Sequence, residues 1–182
     1  AIALQEGVIQ ANGKVNDIGQ LQIGGWPINN HDRQANGVID FPTVLQVSSN
    51  VGMVQAMRNL RSSLYWDWLA RLGIEARPDT DLPGAIGGQL KTREQLTAHP
   101  IEPATSACGQ GFNLTALKLA QLHALLANGG RLISPHITRG LRSGDGLARV
   151  DRAKGLPLMR PDVTRTVLAW MESVVQKGSG KG

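Results

Sequence analysis

The sequence has a single cysteine in 182 residues, Cys108, so it can form no intrachain disulfide and no multi-cysteine zinc or iron–sulfur site. Four Trp, two Phe and one Tyr are too few for the base-stacking platforms of single-strand-binding proteins. No apolar run approaches the roughly 18 to 20 residues that cross a bilayer, and the N-terminus lacks the basic-then-apolar layout of a signal peptide. No Gly-x-Ser-x-Gly elbow and no solenoid repeat occur. The histidines, His31, His99, His123 and His136, are scattered without metal-ligand spacing, and His123, inside an apolar run, is expected to be a core residue. Gly178, Gly180 and Lys181 lack the spacing and the following Ser or Thr of a phosphate loop, so a flexible linker is expected there.

What is present is globular in composition, 41% hydrophobic and 18% charged, and sufficient for one domain core. The formal charge is +5, and residues 131–165 carry eight Lys and Arg against three acids, a local excess equal to that total. Such a basic stretch can attract an anionic polymer or surface, but with few aromatics and no nucleic-acid motif a solvated face is the default and no nucleic-acid partner is expected. The chain opens inside Ala1-Ile2-Ala3-Leu4 with no capping residue and closes on Gly-Ser-Gly-Lys-Gly, so both ends are expected to continue into a longer protein.

Helical spacing is clearest for residues 115–128, stopped by Gly129 and Gly130, and for the segment opened by Pro161 and Asp162, with Val163, Val167, Trp170, Met171 and Val174 on one face. The apolar residues of the first cover more than one face and predict burial on several sides. Val51, Val54 and Met57 predict a helix after an interruption, Leu64, Trp68, Leu69 and Leu72 another ended by Gly73, and Thr43 caps or opens a helix carrying Val44, Leu45 and Val47. Residues 1–6 read as the tail of a helix stopped by Gly7, Leu21 and Ile23 as a short strand or hairpin, and residues 139–154 as loop or hairpin. Residues 74–112, rich in glycine and proline and without sustained period, read as one long irregular segment.

The interruption is Ser48-Ser49-Asn50. Alone, a Ser-x-Asn triplet is common, and helix capping explains it: Ser and Asn satisfy the free N–H groups of the helix that carries Val51 and Val54. Its context is more specific. Residues 43–53, Thr-Val-Leu-Gln-Val-Ser-Ser-Asn-Val-Gly-Met, resemble the second motif of the class B penicillin-binding transpeptidases, the cell-division and elongation enzymes. Asp81-Leu82-Pro83-Gly84, then Gly109-Gln110-Gly111 with Asn113, Leu114 and Thr115, then Leu-Ala-Asn-Gly-Gly at 126–130, resemble further segments of that family in the same order. Residues 1–8 resemble its nucleophile helix, and 171–182 the approach to its third motif.

The resemblance implies a serine acylation mechanism with Ser-x-x-Lys, Ser-x-Asn and Lys-Thr-Gly motifs. No Ser-x-x-Lys occurs here, and Lys91-Thr92 is followed by Arg93. It therefore implies that residues 1–182 are the part of a transpeptidase domain between the first and third motifs, inactive alone. The implied fold is mainly α with a few short strands: the helical lobe of the α+β serine β-lactamase/transpeptidase-like fold, its central sheet largely missing. The implied catalytic residues are Ser48, as proton relay, and Asn50; the implied substrate contacts are Ser49 and Gln110, although packing is the favoured role of the Gly109–Gly111 turn. No metal or cofactor is implied. The implied partners of the parent are peptidoglycan stem peptides, β-lactams and, as a possibility, divisome or elongasome proteins; its place is the outer side of the cytoplasmic membrane, on an N-terminal anchor. The fragment itself is open to forming a homodimer. A different class remains open: a non-catalytic helical binding or β-lactam-sensing module using the basic 131–165 surface.

Overall fold

The structure is a computed structural model that describes residues 1–144, 146–150 and 154–181. The helices are α1 (Ile2–Gln5), α2 (Phe41–Gln46), α3 (Asn50–Met57), α4 (Ser62–Arg71), α5 (Arg93–Ala98), α6 (Ile101–Ala107), α7 (Ala116–Ala127) and α8 (Pro161–Lys177). The strands are β1 (Lys14–Asp17), β2 (Gln20–Ile23), β3 (Trp26–Asn29), β4 (Gly37–Asp40), β5 (Gln89–Leu90), β6 (Phe112–Asn113), β7 (Arg131–Leu132), β8 (Gly140–Ser143), β9 (Gly146–Arg149) and β10 (Leu156–Pro157). Among the described residues they combine only in antiparallel pairs: β1 with β4, β2 with β3, β5 with β6, β7 with β10 and β8 with β9. No helix of the described residues is long and apolar enough to cross a membrane.

The main core gathers Tyr65, Trp68 and Leu69 of α4 and Leu72 at its C-terminal cap with Ile74, Leu96 of α5, Leu125 of α7, and Leu158 and Met159. Trp68 is fixed from two sides: its indole N–H donates to Glu6 at 2.7 Å, and the Arg71 guanidinium lies 4.5 Å from the ring centre. A second cluster seats Val163 and Val167 of α8 on Leu4 of α1. A third joins Phe41 and Val44 of α2 to Ala56 of α3, with Trp170 stacked on Phe41 at 6.3 Å. Gln46, at the end of α2, reaches Ser173 by its side chain and accepts from Ser179 N–H through its carbonyl at 2.8 Å. The stretch expected as a loose linker is thus docked on α2, and a Cβ on Gly178 would come within 2.6 Å of the Gln46 carbonyl.

The expectation of one long irregular segment is corrected. Residues 74–112 contain α5, α6 and β5. The helices are too short to show a sustained period, and the signal they do carry is Thr92-x-x-Gln95, which closes a reciprocal capping box. The α7 helix buries Lys118, Gln121 and Leu125 while Leu119 and His123 are exposed, so His123 is no core residue. Lys118 turns inward because its ammonium donates to Gln121 at 2.8 Å, and Gln121 in turn donates to the Ile133 carbonyl at 2.6 Å. Burial pushes the Lys118 pKa down. Asp40 caps α2, accepting from Thr43 N–H at 2.9 Å, and Thr43 stands in the first turn of the helix.

Residues 11–37 are polar and glycine-rich, and they are organised around Asp17, which is fully buried. Its Oδ1 accepts from Gly19 N–H at 2.9 Å and from the Asn30 amide at 2.8 Å. Its Oδ2 accepts from the Asn36 amide and from the Ser49 hydroxyl, each at 2.7 Å, and from Asn30 at 2.9 Å. Burial pushes the Asp17 pKa up, and the donors on Ser49, Asn36, Gly19 and Asn30 together outweigh it, holding the carboxyl below its ordinary 3.8. A lowered folded-state value means that this stabilisation is complete above the ordinary carboxylate range and is lost as pH falls through the folded value. Asp17→Ala, which strands buried donors, is expected to cost about 3 kcal/mol or more in chemical denaturation. The wild type is expected to lose stability more steeply than Asp17→Asn on acidification below pH about 4, measured by denaturation midpoints across a pH series.

Candidate functional site

The α2 helix ends in a Schellman motif. Ser49 N–H reaches back to the Val44 carbonyl at 2.9 Å and Ser48 N–H to the Leu45 carbonyl at 3.2 Å, with Ser48 in the left-handed region at φ 54°. Glycine is the usual residue at such a position, because a Cβ there costs on the order of 1–2 kcal/mol. Helix α3 starts at once with Ser49 as its N-cap, accepting from Gly52 N–H at 2.8 Å. The two helices pack so closely across the break that a Cβ on Gly52 would lie 2.6 Å from a Val44 methyl. One residue therefore serves as the turn between two helices, and it is Ser48.

The side chains of the triplet are divided by this geometry. Ser48 is exposed, and its hydroxyl makes no hydrogen bond among the described residues. Ser49 is 1% exposed, with its hydroxyl given to Asp17 and its oxygen taken by Gly52 N–H. It was expected to touch substrate; buried and engaged on both sides, it is a structural residue instead, and it is the one that caps the helix. Asn50 is half-buried and donates one amide N–H to the Asn29 carbonyl at 2.9 Å, which leaves the other N–H and its Oδ1 without partners among the described residues. Asn50 also meets Cys108, whose thiol approaches the Asn50 carbonyl at 3.6 Å. Burial pushes the Cys108 thiol up to about 11, so it stays protonated and donates.

Cys108 leads directly into Gly109-Gln110-Gly111. Both glycines have positive φ, 85° and 83°, with no atom within 4 Å of a built Cβ, so they are needed for the turn and not for close approach. Gln110 is exposed; its backbone N–H is held by the Thr105 carbonyl at 3.1 Å, and its side chain bonds to nothing among the described residues. The structure thus brings the Gly109–Gly111 turn to the α3 N-terminus through Cys108 and Asn50, and supplies no direct contact between Gln110 and Ser48. Lys91, the one lysine followed by threonine, pairs with Glu102, and Thr92 caps α5.

Sequence reasoning missed Asp17, Asn30 and Asn36. Asn30 is a second arm of the same support: its Oδ1 accepts from Val51 N–H at 3.1 Å and its own backbone N–H donates to the Gly19 carbonyl at 3.0 Å. The Asp17-x-Gly19 pattern predicts a local turn, but nothing in the sequence joins residue 17 to residue 49. The Asp81 carboxylate of the Asp-Leu-Pro-Gly segment accepts from Ile137 and Thr138 N–H at 2.9 and 2.8 Å, tying that loop to the backbone after β7. A separate hollow of about 540 Å³, lined by Leu21, Ile23, Val54, Met57, Tyr65 and Ala104, lies behind α3 and includes neither Ser48 nor Asn50. The exposed hydroxyl at the helix break faces open surface. Among the described residues no cluster of His, Cys, Asp and Glu has metal-binding geometry, and the four histidines are exposed.

The family described as "Penicillin binding protein transpeptidase domain" matches residues 1–182. The chain is 36% identical over 169 residues to a peptidoglycan D,D-transpeptidase FtsI homolog of Chlorokybus atmophyticus, covering 87% of this chain and 25% of that protein. It is 31% identical over 179 residues to the peptidoglycan D,D-transpeptidase FtsI of Escherichia coli K12, covering 98% of this chain and 28% of that one. Among solved structures it matches the apo transpeptidase domain of Burkholderia pseudomallei penicillin-binding protein 3, with TM-score 0.82 and 25% identity over 98% of this chain and 51% of that one. Penicillin-binding protein 3 of Mycobacterium tuberculosis, in complex with aztreonam, superposes with TM-score 0.85 at 23% identity, over 99% of this chain and 40% of that one. The chain spans about a quarter to a third of the curated relatives' length. With four ordered segments, a helix break at the Ser-x-Asn triplet and a matching fold in agreement, the chain belongs to the penicillin-binding protein transpeptidase domain family.

Proposed function

We propose that residues 1–182 form the helical lobe of a class B peptidoglycan D,D-transpeptidase that cross-links cell-wall stem peptides through a serine acyl-enzyme and is acylated by β-lactams. The observation that carries this reading is Ser48: a serine held at φ 54° where glycine is favoured, its hydroxyl exposed and without a partner among the described residues. Strain of this kind persists where the surrounding structure over-determines it, and it clusters at functional sites.

In this reading the nucleophile and its lysine lie just before Ala1 and the Lys-Thr-Gly strand beyond Gly182, so the central sheet is built largely from outside this chain. A serine hydroxyl donates and accepts at once, and Ser48 relays the proton between that lysine and the departing D-alanine amine. Asn50 offers its remaining N–H to a substrate carbonyl and its Oδ1 to the lysine. The amide bonded to Asn29 sets the plane of that carboxamide before substrate arrives, which is pre-organisation of the kind transition-state stabilisation requires. Gln110, exposed beside the same helix end, is a substrate contact. The parent works on the outer side of the cytoplasmic membrane, anchored by an upstream segment, with division or elongation proteins as partners. No cofactor is assigned.

Two outcomes test this. In the full-length protein, Ser48→Gly is expected to lower the rate of acylation by a fluorescent penicillin by orders of magnitude while raising stability by about 1 kcal/mol, because glycine relieves the strained φ. Unchanged acylation in that variant is the result that sinks the relay role. The 182-residue chain alone, incubated with the same penicillin and read by intact-mass spectrometry, is expected to show no covalent adduct.

A further inference from the structure

The strained serine has to be held by something, and the structure shows what holds it. On its N-terminal side Ser48 is fixed by the Schellman hydrogen bonds of α2. On its C-terminal side the next residue, Ser49, is drawn inward by the Asp17 carboxylate, which accepts a hydrogen bond from the Ser49 hydroxyl at 2.7 Å. With Ser49 inward, the peptide planes on both sides of Ser48 are set, and the Ser48 side chain must turn out. We propose that Asp17 is a positioning residue for the transpeptidase site: acting through Ser49, it keeps the Ser48 hydroxyl presented at the surface. This rests on the reading of Ser48 as a proton relay.

Asp17 is fully buried, so it does not act on substrate itself. Its chemistry is specific to a carboxylate. The groups that meet it, Gly19 N–H, the Asn30 and Asn36 amides and the Ser49 hydroxyl, are all engaged as donors. An asparagine at 17 would turn an N–H toward at least one of them. The Ser49 hydroxyl, which also lies 3.3 Å from Asn30 Oδ1, can turn its proton to that oxygen, and the pull of residue 17 on the turn is then lost. Asn30 reinforces the arrangement by taking Val51 N–H, so the carboxylate cluster grips both Ser49 and the first turn of α3. Nothing else among the hydrogen bonds of the described residues links β1 to the residue that follows Ser48.

The test uses the full-length protein and the second-order rate constant for acylation by a fluorescent penicillin, at a temperature where every variant is folded by circular dichroism. Four proteins form a cycle: wild type, Asp17→Asn, Ser48→Ala and the double variant. Leu125→Ala, in the core remote from the triplet, controls for a general loss of stability. The expected result is that Asp17→Asn lowers the rate constant tenfold or more in the wild-type background, has almost no further effect when Ser48 is already alanine, and exceeds the effect of Leu125→Ala. Equal factors in both backgrounds, or a loss no greater than that of Leu125→Ala, would overturn the proposal and leave Asp17 a structural residue. Should Asp17→Asn fail to fold, Asn36→Ala, which removes one exposed donor from the same carboxylate oxygen, is expected to give a smaller fall that again vanishes on the Ser48→Ala background; persistence of that fall overturns the proposal as well. The reading of Ser48 itself fails on a separate result, an unaltered rate in Ser48→Ala alone.

Discussion

The buried carboxylate of Asp17 is the constraint on which the arrangement of this chain's first sixty residues depends. Residues 11–37 of that region are polar and glycine-rich, with few side chains able to form an apolar core. Taking a lone carboxylate out of water costs several kcal/mol, and hydrogen bonds to a charged group return about 1.5–3 kcal/mol each. Donors from Gly19, Asn30, Asn36 and Ser49 therefore suffice to make the buried charge favourable, and removing the charge leaves them without acceptors. Since those donors come from the turn after β1, the loop after β3 and the cap of α3, one carboxylate joins these polar segments as Trp68 and its neighbours join the helices of the main apolar core.

The break between α2 and α3 shows local and tertiary forces working in the same direction. The Schellman bonds end one helix, the Ser49 cap opens the next, and both are local. The tightness of the turn is tertiary: Gly52 lets α3 come against Val44, while α2 is anchored on its far side by Phe41 on Trp170 and Gln46 on Ser179. A serine at the left-handed position opposes this economy by about 1–2 kcal/mol relative to glycine, comparable to what one charge-assisted hydrogen bond of the Asp17 cluster contributes. The several hydrogen bonds of the cluster can hold the strained residue, whose hydroxyl is exposed.

The elements readable in the sequence share a property. Helix α7, with Thr115 before it and Gly129 after it, and α8, opened by Pro161, announce themselves by caps and by sustained period. The short helices α5 and α6 have too few turns for periodicity to show, and the capping box at Thr92 and Gln95 was their only local mark. The pairing of β1 with β4 was invisible because Lys14 to Asp17 has no clean alternation and its partner lies across an intervening hairpin. Helix α7 was read correctly in extent and wrongly in facing, since Lys118 and Gln121 satisfy each other and can be buried in place of leucines.

The sequence by itself determined the order of segments, the helix stops at glycine, the Ser48-Ser49-Asn50 triplet and the family to which they belong, because these depend on backbone preferences and residue identities a few positions apart. Only the tertiary structure decided which serine faces solvent. Ser48 and Ser49 are the same residue type, side by side, and what separates them is a carboxylate thirty-two positions away that draws one hydroxyl inward and obliges the other to turn out. Long-range hydrogen bonds of that kind leave no periodic trace in a sequence, since their geometry exists only once the chain has closed around them.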